Sequence, residues 1–438
     1  MTLAVTHIEK NDLFGSNQFA FRKGRGARDA IALLTISWIA ALNGRCKIGL
    51  YCSDVSGAFD RVDSEILMQK IDSCKFHPKF AQLLASWLRR RVGRVLVGGE
   101  MSKEMPLEDM VFQGTVLGPP IWNIFFADAA ISIRAAEYND IVYADDLNAY
   151  KVFPADTSNE DILNSNGACQ ESLHAWGTKN RVSFDPGKES SHVICQHDAV
   201  GGNCKILGIM FDPQLTMKTA VDDLVHEVRW KRMTLLRSRR YYDVDKMIDL
   251  WKAHILSFIE YRTPGIYHAA DCHLSRVDNL QTSFLRELGL SDLDAIRLFR
   301  LAPLCTRRDI AILGIIHRCV LGYGPLHFRE YIRLAEQPNR GVTRRTAQSH
   351  RLQLCSIIDG TQKEIARRSL LGMVDVYNIL PASIVERSAC VKSFQASLQE
   401  LISDCAAAET DGWQRLLSPR HTLYNHPLKE WWRWESAF

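Results

Sequence analysis

Apolar runs broken by Gly, Pro and Asp divide the first half of the chain into short strands and medium-length helices. Residues 48–52 form an apolar run that ends at Ser53 and Asp54, which predicts a buried strand with a carboxylate at its C-terminal end. Residues 141–143 and 147–150 are two strand-forming runs with Asp145 and Asp146 between them. That pattern predicts a hairpin with both acids at its tip. Apolar spacing predicts helices over 29–42, 62–71 and 78–90, with a strand over 94–97. Asp60 and Asp63 are placed to cap the helix that starts near Val62. Another helix is expected to begin near Pro119 or Pro120, because Pro is tolerated in a first helical turn. After Gly208 the pattern turns helical, over 221–240 and 247–261, and stays mostly helical from about Gln281. The run Gln337-Pro338-Asn339-Arg340-Gly341 reads as a linker. There is no internal repeat and no low-complexity tract.

Composition narrows the picture without deciding it. A chain of 438 residues with 46% hydrophobic content can bury the cores of two or three domains. A net charge of +4 is only mildly basic, so any nucleic-acid binding must come from local patches. The 12 cysteines include no C-x-x-C pair. Nothing at the N-terminus resembles a signal peptide, and no apolar run reaches membrane-spanning length. The expected setting is intracellular, in nucleus or cytoplasm, not secreted and with no membrane partner, with thiols reduced. Cys305, His317 and Cys319 lack tetrahedral zinc spacing, so no zinc site is expected.

The acids carry the chemistry. Adjacent carboxylates on a turn repel, so folding gains nothing from Asp145 beside Asp146. A hard divalent cation removes that repulsion. Asp54 brings a third carboxylate to a strand end, where α/β sheets place ligands. Two such strand ends can clamp a pair of ions about 3.5–4 Å apart for an in-line phosphoryl displacement. Gly114 and Gly118 permit close backbone approach in the loop before the helix near Pro119, and Gln113 can hydrogen-bond a nucleotide. Singly, each segment has a plainer reading: a solvated acidic turn, a helix cap, an ordinary loop with a core helix.

Taken in order, the segments resemble the reverse transcriptase domain of non-LTR (LINE-type) retrotransposons. Residues 18–25, Gln-Phe-Ala-Phe-Arg-Lys-Gly-Arg, resemble the family's Q-x-G-F-R-x-G-R fingers motif, with Ala20 where Gly is usual. Asp54 with Phe59-Asp60 matches D-x-x-x-x-F-D. Residues 113–119 match Q-G-S-x-L-G-P, with Phe112 in place of the preceding Pro. Tyr143 to Asp146 match Y-A-D-D. Trp176 followed by 184–188, Phe-Asp-Pro-Gly-Lys, resembles a lysine-bearing turn, and 207–212 resemble the strand pair that begins the thumb. The likeness covers roughly residues 15–290. It continues loosely through Tyr377-Asn378-Ile379-Leu380-Pro381 and Phe394.

The resemblance implies an α+β fold: a right-hand polymerase palm, an antiparallel sheet with packed helices, plus partial fingers, a helical thumb and a mostly helical C-terminal region. The expected divisions are 1–46 for fingers, 47–205 for palm, 206–336 for thumb and connecting helices, and 337–438 for the C-terminal region. It implies an RNA-directed DNA polymerase that joins deoxynucleoside triphosphates to a primer 3′-hydroxyl. Asp54, Asp145 and Asp146 would bind two Mg²⁺, with Mn²⁺ able to substitute. Lys188 would be the general acid for the leaving pyrophosphate. Phe59 would lie under the sugar and exclude a 2′-hydroxyl. Gln113, Gly114, Arg22, Lys23 and Arg25 would bind the nucleotide. Arg229, Lys231, Arg232 and Arg237 would follow the phosphates of an RNA template and DNA primer or target.

Each of these has a bland counterpart. Phe59 can be core, Lys188 a solvated turn lysine, and the basic runs, including Arg89, Arg90, Arg91 and Arg94, solvated faces. Trp413, Trp431, Trp432 and Trp434 read as packing residues rather than a base-stacking platform. Asp359-Gly360-Thr361 faintly resembles the first strand of ribonuclease H, but its further acids are missing, so none is expected. A viral RNA-dependent RNA polymerase is disfavoured by Phe59 and by Gln113-Gly114. The remaining alternative is a catalytically inactive retroelement-derived fragment that only binds nucleic acid. The short stretch before Gln18, without the family's R-P-I segment, leads to an expectation of weak polymerisation.

Overall fold

A computed structural model gives the fold and describes residues 2–89, 91–107, 109–336, 350–358, 364–422 and 424–429. Arg90, the linker 337–341, Asp359-Gly360-Thr361 and the tryptophans 431, 432 and 434 lie outside the described residues. The chain divides into two compact units, one of residues 1–30 and 46–204, the other of 31–45 and 205–438.

The first unit is built on a four-stranded sheet in the order β6-β7-β1-β8. The strands are β1 (Lys47–Ser53), β6 (Asn139–Tyr143), β7 (Asp146–Phe153) and β8 (Ser190–Ile194). Every neighbouring pair is antiparallel. β1 lies between two strands and is buried from Ile48 to Ser53, which is why it reads as a continuous apolar run rather than an alternating one. The helix α7 (Asn159–Asn180) packs closely on it. A Cβ at Gly49 would come within 2.6 Å of Asn166 Oδ1 and 2.8 Å of Ile162, so only glycine allows that approach. Asn166 uses the closeness: its amide donates to Leu50 O, Ser191 Oγ and His192 O, and its oxygen accepts from Tyr138.

A second core, around Trp122, Phe125, Phe126 and Trp176, joins Tyr51, Leu147 and Ala149 of the sheet to Leu67, Ile71 and Leu84. It is supplied by α3 (Ser64–Ser73), α4 (Pro78–Leu88), α5 (Gly118–Phe126) and α6 (Ala129–Ala135). Asp63 caps α3, accepting from Glu65 N and Ile66 N, as its position predicts. Asp60 instead sits in a short 3-10 turn, Ala58–Arg61. The strand expected over 94–97 is broken. Two exposed ribbons replace it, β2 (Val92–Gly93) with β5 (Met105–Pro106), and β3 (Leu96–Val97) with β4 (Glu100–Met101). Gly98 and Gly99 both take positive φ at the turn of the second ribbon. α1 (Thr2–Lys10) completes this unit. α2 (Ala27–Asn43) begins in it and contributes most of its length to the other.

Among the described residues the second unit is mostly helical, with the hairpin β9 (Cys204–Ile206) and β10 (Ile209–Phe211) at its start and an isolated antiparallel bridge between Leu334 and Leu354. α8 (Lys218–Arg237) follows. The helix expected over 247–261 is α9 (Val244–Trp251), which runs through a π-helical segment, Lys252–Leu256, into α10 (Ser257–Tyr261). α11 (Thr263–Ile266) and α12 (Asp271–Glu287) continue the chain. Trp251 stacks on Phe284 of α12 at 4.4 Å between ring centroids. Further on, His317 stacks on Phe394 at 4.0 Å and meets the Tyr377 hydroxyl at 3.0 Å. The Tyr377…Phe394 pattern is therefore a core contact here. Trp413 is buried as well. Among the described residues, no helix is long and apolar enough to cross a membrane, and the 12 cysteines form no disulfide.

Candidate active site

The register of the sheet brings the three acids together. Ser53, the last residue of β1, pairs with Leu147 of β7, so the antiparallel step that follows sets Asp54 across from Asp146. β6 and β7 pair out to Tyr143 opposite Asp146, which leaves Ala144 and Asp145 as a two-residue tip. Ala144 takes a left-handed φ of +58°, a conformation that side chains other than glycine seldom adopt. The hairpin with acids at its tip is thus present.

Lys188 reaches the same place by a separate route. The Asp54 carbonyl accepts from the Asp185 amide at 3.0 Å, and Ser183 O accepts from Ser56 N at 2.9 Å. Asp185 Oδ1 accepts from Gly187 N, closing a tight turn. The turn delivers the Lys188 ammonium to Asp54 Oδ2 at 2.5 Å, with Asp185 Oδ2 at 4.0 Å. The bond to Asp54 holds the Lys188 pKa above its ordinary value.

The carboxylates are electrostatically strained. Burial and the Asp54 charge raise the pKa of Asp145. Burial, then Asp145 and Asp54, push Asp146 up to about 7. Among the described residues, no three His, Cys, Asp or Glu side chains are already gathered as a metal-holding group, and one Asp54 oxygen faces the Lys188 ammonium. The donors nevertheless suit a hard divalent cation: oxygen only, partly desolvated, and held against mutual repulsion. A carboxyl whose folded pKa is raised costs stability once it ionises. That cost is absent below the unfolded value near 3.8 and complete above about 7. Asp146→Asn should therefore stabilise the metal-free protein at pH 8, by about 1–2 kcal/mol after allowing for partial solvent screening. Thermal unfolding in EDTA from pH 5 to 8 checks this. The mutant's advantage should grow with pH, and a constant offset would refute it.

The other predicted residues are spread more widely. Phe59 lies in the 3-10 turn whose N-cap, Gly57, has φ +65°. Its ring is half-buried and stacks on Trp122 at 5.7 Å. Gln113 and Gly114 form an exposed turn, with Gly114 at φ +77°. Thr115 then ties the loop to α5: its hydroxyl donates to Phe112 O and accepts from Gly118 N. A Cβ at Gly118 would meet Phe112 O at 2.8 Å.

Arg22 is not with them. Its side chain is 3% exposed and paired with Glu9 of α1 at 2.5 Å, and Nη1 donates to Gly15 O at 2.6 Å. Its guanidinium braces the N-terminal segment, because a buried cation needs a local anion. Arg25 is half-committed, donating to Ser16 O and Gln18 O. Lys23 is exposed. Arg91 lies over the rings of Trp87 and Phe112, and Arg94 pairs with Glu104.

In the second unit, the α8 cations point in different directions. Arg229 and Arg232 line an open cleft of about 410 Å³ together with Arg276, Ser283 and Arg286 of α12. Lys231 turns away, over the Phe258 ring at 4.7 Å, and Arg237 is exposed in the last turn of α8. Arg276 and Arg286 were not among the expected residues. The spacing Arg276, Asn279, Ser283, Arg286 places them on one face of α12, and that was the available signal.

Residues 2–210 match the family described as reverse transcriptase (RNA-dependent DNA polymerase). Two curated relatives are RNA-directed DNA polymerases from the mobile element jockey. The chain is 28% identical to that of Drosophila funebris over 296 residues, 62% of this chain. It is 26% identical to that of Drosophila melanogaster over 301 residues. The matched stretch spans 32% of the length of each relative. A telomerase from Candida tropicalis, in complex with a telomeric RNA fragment, aligns over 71% of this chain and 53% of that one, with 14% identity and a TM-score of 0.37.

Proposed function

We propose that this chain, which carries a reverse transcriptase domain of the non-LTR type within residues 2–210, is an RNA-directed DNA polymerase. The observation that carries the reading is the convergence of Asp54, Asp145 and Asp146 with Lys188 at one end of the sheet. Mg²⁺ or Mn²⁺ held by the three carboxylates would polarise the primer hydroxyl and the leaving phosphate oxygens. The chain's own groups do the rest. Lys188 holds a proton at Nζ, where a departing pyrophosphate can take it. The Phe59 ring, fixed by Trp122, forms a wall against the sugar. The exposed turn at Gln113 and Gly114 lets backbone approach a nucleotide. Lys23 and Arg25 remain as cations for the triphosphate, while Arg22 is occupied by Glu9.

The α8–α12 cleft supports a template and primer as partners. Arg229, Arg232, Arg276 and Arg286 line it. Arg276 is paired with Asp222 and Arg232 donates to Ser283 Oγ, so Arg229 and Arg286 are the cations best placed to contact phosphates without reading bases. The same cleft is what favours a second reading, a fragment that binds nucleic acid and does no chemistry.

Primer extension on an RNA template, with each nucleotide class in turn, separates the two. Extension with deoxynucleotides and exclusion of ribonucleotides is expected. Phe59→Val should then raise ribonucleotide use relative to deoxyribonucleotide by about tenfold or more, since it removes a clash rather than adding a contact. An unchanged ratio in an active mutant returns Phe59 to the core. Binding without extension favours the silent fragment.

A further inference from the structure

Gln18 has a second task that the basic-loop motif does not reveal. Its side chain is 4% exposed and bonds both backbone groups of one residue of the acidic hairpin. Gln18 Oε1 accepts from Ala144 N at 2.9 Å, and Gln18 Nε2 donates to Ala144 O at 3.2 Å. The same Oε1 also accepts from Ala20 N at 3.0 Å. Ala144 is the left-handed tip residue, buried and immediately before Asp145.

The Gln18 backbone is itself fixed. Residues 17–19 lie beside β6 as a short parallel rung, with Phe19 N donating to Val142 O at 2.8 Å and Val142 N to Asn17 O at 3.0 Å. Gln18 O accepts from Arg25. Asn123, fully buried on α5, donates to Ala20 O at 2.9 Å. The amide therefore projects from an anchored segment, and Ala144 depends on it. A left-handed alanine persists only where its surroundings over-determine it. Without Gln18 its buried N–H and C=O would both lack a partner.

We propose that Gln18 is a positioning residue: by clamping the N–H and C=O of left-handed Ala144 it sets the direction in which Asp145 and Asp146 present their carboxylates. This rests on the polymerase reading given above, and it assigns Gln18 to the catalytic hairpin. The clamp also explains why the tip tolerates alanine where a two-residue hairpin turn favours glycine.

The test compares the parent chain with Gln18→Ala and Gln18→Glu by three measurements. The first is amide hydrogen exchange over the 139–153 hairpin and over the rest of the sheet. In Gln18→Ala, exchange at the tip should quicken about tenfold or more, as loss of one buried hydrogen bond implies, while β1 and β8 keep their protection. The second is binding of Mn²⁺ alone, which should weaken about tenfold or more in Gln18→Ala. The third is the split between kcat and KM in primer extension. kcat should fall about 100-fold with KM for the nucleotide within about threefold, as when geometry rather than binding is lost. Gln18→Glu keeps the acceptor for Ala144 N and should recover part of each loss. Equal Mn²⁺ affinity in parent and Gln18→Ala overturns the proposal, whether or not the parent extends primers. So does an unchanged exchange rate at the tip, or an exchange increase spread evenly over the sheet. A parent that binds Mn²⁺ through a Gln18-dependent hairpin yet never extends a primer refutes the polymerase reading and leaves the clamp standing.

Discussion

Asp145→Asn should lower RNA-templated primer extension by about three orders of magnitude or more, while nucleic-acid binding stays close to that of the parent. The amide has nearly the size of the carboxyl and can still accept a hydrogen bond at the hairpin tip, so the loss is one of charge. Transition-state charge stabilisation by a bound metal is worth several kcal/mol, and each 1.36 kcal/mol is about tenfold in rate. Folding should not suffer. Asp145 sits with a raised pKa, through burial and the nearby Asp54, so removing its charge relieves repulsion. The mutant is thus expected to be at least as stable as the parent in EDTA and far less active with metal. That opposition distinguishes a functional acid from a structural one, for which activity and stability fall together. Parent and mutant are assayed side by side for extension, for binding to an RNA–DNA duplex and for thermal unfolding. Equal extension in the two would remove Asp145 from the chemistry.

The parts of this site that were legible in sequence are those written in local patterns. A strand run ending in Asp54, two strand runs flanking Asp145 and Asp146, and an apolar helix behind Gly118 all announce themselves within a dozen residues. What could not be read locally are pairings set by the fold. Arg22 looks like a free cation in a basic loop, but Glu9, on a helix 13 residues earlier, claims it. Lys188 looks like a solvated turn lysine, yet a backbone ladder between 183–185 and 54–56 carries it across 134 positions to Asp54. Gln18 looks like one letter of a motif, and its bonds to Ala144 cross 126 positions. The cations of α8 form one basic run in the sequence, whereas the 3.6-residue period sends Arg229 and Arg232 one way and Lys231 another. The strand expected at 94–97 failed because its β-branched residues sit on an exposed ribbon beside two glycines with positive φ.

Lys188→Met should lower kcat by about 10²–10⁴-fold, the usual span for removing a positioned proton donor. The geometry makes the expectation specific. Lys188 is exposed on a turn, yet its ammonium is fixed by Asp54 at 2.5 Å, so it needs little reorganisation to face a leaving group bound at the same carboxylate. The bond to Asp54 also raises its pKa, which keeps the proton in place well above neutral pH until the phosphate draws it away. A purely structural lysine would give a different pattern. Asp54 would lose a counter-charge, and every substrate would slow by one factor. A proton donor matters most for the leaving group that most needs a proton. Nucleotides whose β,γ-bridge carries dihalomethylene groups leave with less help than those with a methylene bridge. The loss in Lys188→Met should therefore be smallest for the most acidic leaving group and largest for the least acidic, and Lys188→Arg should fall between mutant and parent. Single-turnover extension rates across such a series decide the matter. A loss that is uniform over the series assigns Lys188 to holding Asp54 and nothing more.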